Sequence, residues 1–254
     1  MNDNVIEIKG LVKTFRDFWL RPLAAAVRGI DLTVEKGDVF GLLGPNGSGK
    51  STTIKMILGL IRPTAGTVKL FGLSPRDRRS RSRLGYLPEL SYLHPFLTAR
   101  ETVRYYAGLS GLGGAAARQR ADELLERMGL SENANRPVGG FSKGMARKVA
   151  FAAALVGSPE LLVLDEPTSG LDPLATRDVK ELIRSLAAGG MTVLVTSHQL
   201  FDMQDVCSRV AILSQGRVVG GGVVADIVNQ SADPRHALED CFAAAVGVSS
   251  EGVR

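Results

Sequence analysis

The sequence predicts an α/β fold: a mostly parallel sheet, an antiparallel β subdomain at the N-terminus and an inserted helical subdomain. Three observations carry this. A buried apolar run, Val39-Phe40-Gly41-Leu42-Leu43, passes through a glycine-rich loop into a helix from about Lys50 to Leu60. A stretch of helical periodicity then extends from about Leu97 to Val156. After it the chain returns to β-α-β: a strand at Leu161–Leu164, a helix around Ala175–Ala188 and a strand at Met191–Thr196. A β-loop-α unit, interrupted by helices and resumed as β-α-β, is the order of a parallel sheet carrying an insertion.

The remaining elements fit around this frame. Val5–Val12 and Ile30–Val34 alternate as strands, and Lys36-Gly37-Asp38 turns the second into the buried strand. Pro63 marks the end region of the first helix, and Thr67–Phe71 is a further strand. Arg76–Arg83 is polar and reads as a solvated connection. Gly108–Gly114 and Gly139-Gly140 interrupt the helical region. Ala211–Gly220 reads as a hairpin turning at Gln215-Gly216. The expected division is a core of about 1–88 and 157–224, a helical subdomain of about 89–156, and a weakly specified tail, 225–254, disordered at its end.

Composition narrows the class. The 254 residues suffice for one domain with subdomains, and 22% charged residues are ordinary for a globular chain. A net charge of +5 suits an acidic ligand, a nucleic acid or an anionic membrane and selects none of them. Cys207 and Cys241 belong to no metal or disulfide pattern, which points to a reducing, cytoplasmic compartment. Met1-Asn2-Asp3-Asn4 lacks the start of a signal peptide. The most apolar stretch, Val149–Leu164, is broken by Gly157-Ser158-Pro159-Glu160, so it reads as helix, turn and strand and not as a membrane span.

Gly44-Pro45-Asn46-Gly47-Ser48-Gly49-Lys50-Ser51 fits G-x-x-x-x-G-K-[ST] between a buried strand and a helix, the context this phosphate loop requires. Glycines let the backbone wrap a phosphate with its N–H groups, and the helix offers the anion its positive end. Lys50 is placed to reach the β- and γ-phosphates, Ser51 to ligate Mg²⁺, and Thr52 continues the nucleotide-binding turn. The strand ending in Asp165-Glu166 supplies the second half: Asp165 to hold Mg²⁺, Glu166 to polarise the attacking water. The core is thus that of a P-loop nucleotide triphosphatase.

What lies between and after these motifs resembles the ABC ATPases. Phe141-Ser142-Lys143-Gly144-Met145, before the acidic strand, is similar to the family's Leu-Ser-Gly-Gly-Gln and keeps Ser142 and Gly144, with Lys143 at a departing position. Ser169-Gly170-Leu171-Asp172 resembles the D-loop, and His198, after a core strand, resembles the switch histidine that contacts the γ-phosphate. Glu89 stands in Gly85-Tyr86-Leu87-Pro88-Glu89 where most members have glutamine, so its metal role carries an added charge. Phe15 lies where the family keeps an aromatic on adenine; Phe18 and Trp19 compete with it, and Arg16–Ala26 is longer than the usual link. The resemblance covers about Val5–Val224 and is nearest the multidrug, bacitracin and sodium-exporter-like group.

The resemblance implies an ATPase that binds ATP and Mg²⁺. It implies a head-to-tail pair of nucleotide subunits, identical or mixed, with each ATP between one phosphate loop and Ser142–Gly144 of the other. It further implies separate transmembrane permease subunits, a place on the cytoplasmic face of the cell membrane, and export. No nucleic-acid partner is expected: Arg76–Arg83 lacks interleaved aromatics. The alternative is a soluble, non-transport ABC ATPase acting in assembly or regulation. His94 and His236 read as surface residues.

Overall fold

The computed structural model describes residues 3–19 and 21–246. From the N-terminus the chain forms β1 (Asn4–Arg16), β2 (Pro22–Glu35), β3 (Val39–Leu43), α1 (Lys50–Ile57), β4 (Ala65–Leu70) and a single helical turn, α2 (Arg78–Arg81). β5 (Leu84–Leu87) leads into α3 (Ala99–Leu109), α4 (Gly114–Arg127) and α5 (Lys143–Leu155). Then come β6 (Leu161–Asp165), α6 (Pro173–Ala188), β7 (Thr192–Ser197) and α7 (Leu200–Gln204). The hairpin β8 (Arg209–Ser214) and β9 (Arg217–Val223) precedes α8 (Val224–Gln230) and α9 (Ala237–Val246). The α/β class, the helices between β5 and β6 and the antiparallel N-terminal strands are as the sequence predicts.

The chain divides into two units: Met1–Arg81 with Ile183–Arg254, and Ser82–Leu182. In the first, β1 pairs antiparallel with both β2 and β4. β3 lies between β7 and β8, parallel to each, and β9 runs antiparallel to β8. Every residue of β3 and β7 is buried. A strand covered on both faces is an unbroken buried run and not an alternation, which is why β3 stands out in the sequence. The β8–β9 turn uses Gln215 (φ 47°) and Gly216 (φ 79°), the two positive-φ positions that a two-residue hairpin favours. The Gly216 carbonyl accepts a hydrogen bond from the Arg28 N–H at 2.7 Å and ties that turn to β2.

Two stretches differ from their sequence-based expectation. The long link Arg16–Ala26 is mostly paired strand: β2 begins at Pro22, opposite Arg16. In the polar connection Arg76–Arg83, the Asp77 carboxylate accepts from the Arg79 N–H (2.9 Å) and Nη2 (2.8 Å), stabilising the turn α2. Arg79 draws the Asp77 carboxyl down to about 2. Part of the arginine run is therefore compensated from within.

In the second unit β5 and β6 pair in parallel, from Leu84↔Leu161 to Leu87↔Leu164, and all of β6 is buried. α3 opens on a reciprocal cap: the Thr98 hydroxyl accepts from the Glu101 N–H, and the Glu101 carboxylate accepts from the Thr98 N–H at 2.9 Å. α3, α4 and α5 pack together, with Val103, Ala107, Ala121, Leu124 and Phe151 buried. α8 and α9 occupy the part read as a weakly specified tail; the expected disorder at its end falls on 247–254, outside the described residues. Among the described residues no helix is long and apolar enough to cross a membrane.

Candidate functional site

The phosphate loop is held by its own backbone. Gly44 leaves the buried end of β3 with its N–H donated to the Ser197 carbonyl at the end of β7, 3.3 Å away. The Ser48 N–H turns back onto the Pro45 carbonyl (3.2 Å), and the Ser48 carbonyl accepts from the Gly216 N–H (2.9 Å). Gly49 has φ 110°, and a Cβ there would stand 2.6 Å from the Ala26 carbonyl. Conformation and space both require glycine at that point. α1 starts at the next residue with no side chain capping it, so its first N–H groups face the loop.

Lys50, though buried, donates Nζ to the Gly44 carbonyl at 2.6 Å and the Pro45 carbonyl at 3.3 Å, arching over the loop it belongs to. Ser48 Oγ is buried and has no hydrogen-bond partner among the described residues. A buried hydroxyl without a partner costs about 1–3 kcal/mol. Inside a loop of glycines and a folded-back lysine, that unmet group fits an anion. Asn46, Gly47 and Ser51 are exposed along the rim, with Thr52 partly so.

His198 follows β7 and is exposed. With Gly44 and Pro45 it lines a cavity of about 1030 Å³ whose far side is α9 and the turn before it, including Asp233, His236 and Glu239. His236, read from sequence as a plain surface residue, pairs Nδ1 with Asp233 Oδ2 at 2.9 Å and faces this cavity. Phe15 lies on β1 opposite Ala24, with Lys13 Nζ 5.2 Å from its ring centroid. Phe18 and Trp19 stand at the β1–β2 tip and stack edge-to-face on each other, centroids 5.5 Å apart.

In the second unit Asp165 ends β6 and Glu166 follows it, both only 7% exposed. Glu166 has φ 46°, a left-handed backbone unusual for a carboxylate side chain and one that surrounding structure must hold. The Ser169 N–H on the Glu166 carbonyl (3.2 Å) gives part of that support, and Arg147 of α5 gives more. Its Nη2 donates to the Asp165 carbonyl (3.2 Å) and the Glu166 carbonyl (3.0 Å), and its Nε to the Pro167 carbonyl (3.0 Å). Its Nη1 reaches the Pro88 carbonyl (2.7 Å), the Glu89 carbonyl (3.0 Å) and Ser91 Oγ (3.3 Å). Burial pushes the guanidinium down to about 10 while nearby Asp165 and Glu89 pull it up, so it remains a cation at neutral pH. One buried fork thus joins the backbone of the acidic strand end to the backbone of the Glu89 segment. The Glu89 side chain itself is exposed. Arg147 carries no motif, and sequence reasoning missed it.

Ser142 is the N-cap of α5; its hydroxyl accepts from the Met145 N–H at 3.2 Å. Lys143 is exposed, and Gly144 abuts the start of α6: a Cβ there would lie 3.0 Å from that of Ala175. Asp172 caps α6 by accepting from the Ala175 N–H at 2.8 Å. Two helix starts therefore lie side by side, each capped by a residue of the sequence motifs.

Residues 27–169 match the family described as ABC transporter. An uncharacterised ABC transporter ATP-binding protein of Nostoc sp. is 42% identical over 89% of this chain and 68% of its own length. The chain belongs to the ABC transporter family. Its domain is the family's ATPase, and its relatives lie in the export-related group that the motifs indicate. The Nod factor export ATP-binding protein I of Burkholderia lata is 40% identical over 85% of this chain and 70% of its own length. A dimeric ATP-binding cassette solved in a post-hydrolysis state with ADP and Pi superposes with a TM-score of 0.77 and 27% identity, covering 86% of this ABC chain and 98% of that one.

Proposed function

We propose that this chain hydrolyses ATP as one of two nucleotide subunits in a head-to-tail pair, and that the pair drives separately encoded membrane subunits in export from the cytoplasmic face. The observation that carries the chemical part is Ser48, a buried, unpartnered hydroxyl inside a loop closed to side chains at Gly49. The export relatives and the dimeric, ADP-bound cassette support the rest.

The roles follow from chemistry. The loop Gly44-Pro45-Asn46-Gly47-Ser48-Gly49 and the start of α1, through Thr52, wrap the phosphates, and Lys50 exchanges its own loop carbonyls for β- and γ-phosphate oxygens. Phe15 takes the adenine: its partner Ala24 is two residues, about 7 Å, along β2 from Ala26, whose carbonyl approaches Gly49. Ser51, Glu89 and Asp165 would hold Mg²⁺. When held there, the ion would supply positive charge against the transferring phosphate. Glu166 accepts the proton of the attacking water, and His198 holds the γ-phosphate. Ser142, Lys143 and Gly144 of the second subunit, with Asp172 holding the neighbouring helix start, close the nucleotide from the other side.

Sedimentation tests the pairing. Glu166→Gln, expected to bind ATP without rapid turnover, should sediment as a pair with MgATP and singly with MgADP. A variant that stays single at saturating ATP would overturn the head-to-tail scheme.

A further inference from the structure

The tip of the β1–β2 hairpin has no part in the chemistry above, and it gathers the features of a membrane-interface anchor. β1 pairs with β4 only as far as Val12↔Ala65; from Lys13 to Arg16 its sheet partner is β2 alone, from Val27 to Pro22. The end of this two-stranded arm is closed by two hydrogen bonds: the Asp17 N–H donates to the Arg21 carbonyl (2.9 Å), and the Arg21 N–H donates to Asp17 Oδ1 (2.8 Å). Closure presents Phe18 at 90% and Trp19 at 74% exposure, with Leu23 at 70%. The edge-to-face pair of Phe18 and Trp19 fixes the two rings against each other and leaves their outer faces to solvent.

An exposed Phe-Trp pair is unfavourable in water unless something covers it. The charges on the arm decide what. Lys13, Arg16, Arg21 and Arg28 are basic, and the arm's one acid, Asp17, is turned onto the Arg21 N–H. Tryptophan prefers the headgroup level of a bilayer, and arginines beside it attract anionic lipid. A protein surface would need a complementary acidic, apolar hollow; a lipid surface meets both requirements at once.

We infer that the Phe18–Trp19 tip, flanked by Arg16 and Arg21, inserts into the headgroup layer of an anionic membrane and so orients the subunit. This extends the reading of the chain as a peripheral subunit of a membrane assembly. Trp19 is the sequence's single tryptophan and reports on the tip directly. Adding vesicles of equimolar phosphatidylcholine and phosphatidylglycerol to the full chain is expected to shift Trp19 emission to shorter wavelength. Vesicles of phosphatidylcholine alone are expected to do so far less, and high salt to reverse the shift. Arg16→Glu with Arg21→Glu is expected to lower flotation with anionic vesicles at least about tenfold, with ATP turnover in vesicle-free solution unchanged. Three results would each overturn the proposal: no response to either vesicle; equal binding to both compositions in the parent and the charge-reversed variant; or a Trp19 response to ATP and not to vesicles, which would give the tip to the nucleotide. If vesicle binding fails while a membrane protein still copurifies with the chain, the lipid proposal falls and the transporter reading stands.

Discussion

β3 and β6 are five-residue strands buried along their whole length, and each ends in a turn that carries chemistry, yet the two turns are held in opposite ways. After β3 the support is mostly backbone, from the loop itself and from Ser197 and Gly216 beside it. The loop's glycines supply the conformation, the Ser48 N–H returns to Pro45, and Lys50 folds back onto Gly44 and Pro45. After β6 the support comes from another element: Arg147, 18 to 20 residues upstream, grips three consecutive carbonyls and places Glu166 in a left-handed conformation. A turn fixed by backbone hydrogen bonds, with no room for a Cβ at Gly49, has little freedom to change shape. The turn after β6 has the Ser169 N–H on the Glu166 carbonyl as well, and Arg147 couples it to the Glu89 segment. The phosphate loop is thus shaped chiefly by backbone, and the acidic turn is coupled through a side chain to the Glu89 segment.

Substitutions can break this contrast in order of severity. Glu166→Gln removes the proton acceptor alone; kcat is expected to fall by about 10²–10⁴, with ATP affinity measured by calorimetry nearly unchanged. Gly49→Ala attacks the backbone-held turn, forcing a Cβ to 2.6 Å from the Ala26 carbonyl at φ 110°. A strain of about 1–3 kcal/mol is expected to weaken ATP binding roughly tenfold to a hundredfold, and unchanged affinity would show that the loop is not rigid. Arg147→Gln removes the guanidinium's hydrogen bonds to the carbonyls of 165–167. It is expected to lower kcat about tenfold, or 1.4 kcal/mol, and to lower Tm, while the KM for ATP stays close to the parent's. A change in KM alone would show that the acidic turn keeps its shape without the guanidinium. Glu89→Gln is expected to be the mildest, holding activity within about tenfold, because Arg147 grips the residue-89 carbonyl and not its side chain.

The same contrast explains what the sequence could and could not tell. The β3 turn is legible because everything that shapes it is contiguous: an apolar run, spaced glycines and a lysine. The acids at Asp165-Glu166 are equally visible, since a buried run ending in two carboxylates is rare. Arg147 is invisible because a basic residue beside Lys148, near a helix start, reads as solvated charge; only folding brings the carbonyls of 88–89 and 165–167 to it. The β1–β2 arm was hidden by Ala24-Ala25-Ala26, which favour no strand by propensity and pair through register alone. α9 escaped notice because Ala243, Ala244 and Ala245 give little amphipathic contrast, although Leu238 is buried and the helix lines the cavity beside His198.

The most direct test of the central claim is to express affinity-tagged Glu166→Gln in its native host, add ATP, and identify what copurifies from detergent-solubilised membranes. The account predicts a stoichiometric polytopic membrane protein. Recovery only in the soluble fraction, with a ribosomal, DNA-bound or cofactor-assembly partner, would contradict it and leave an ATPase that transports nothing.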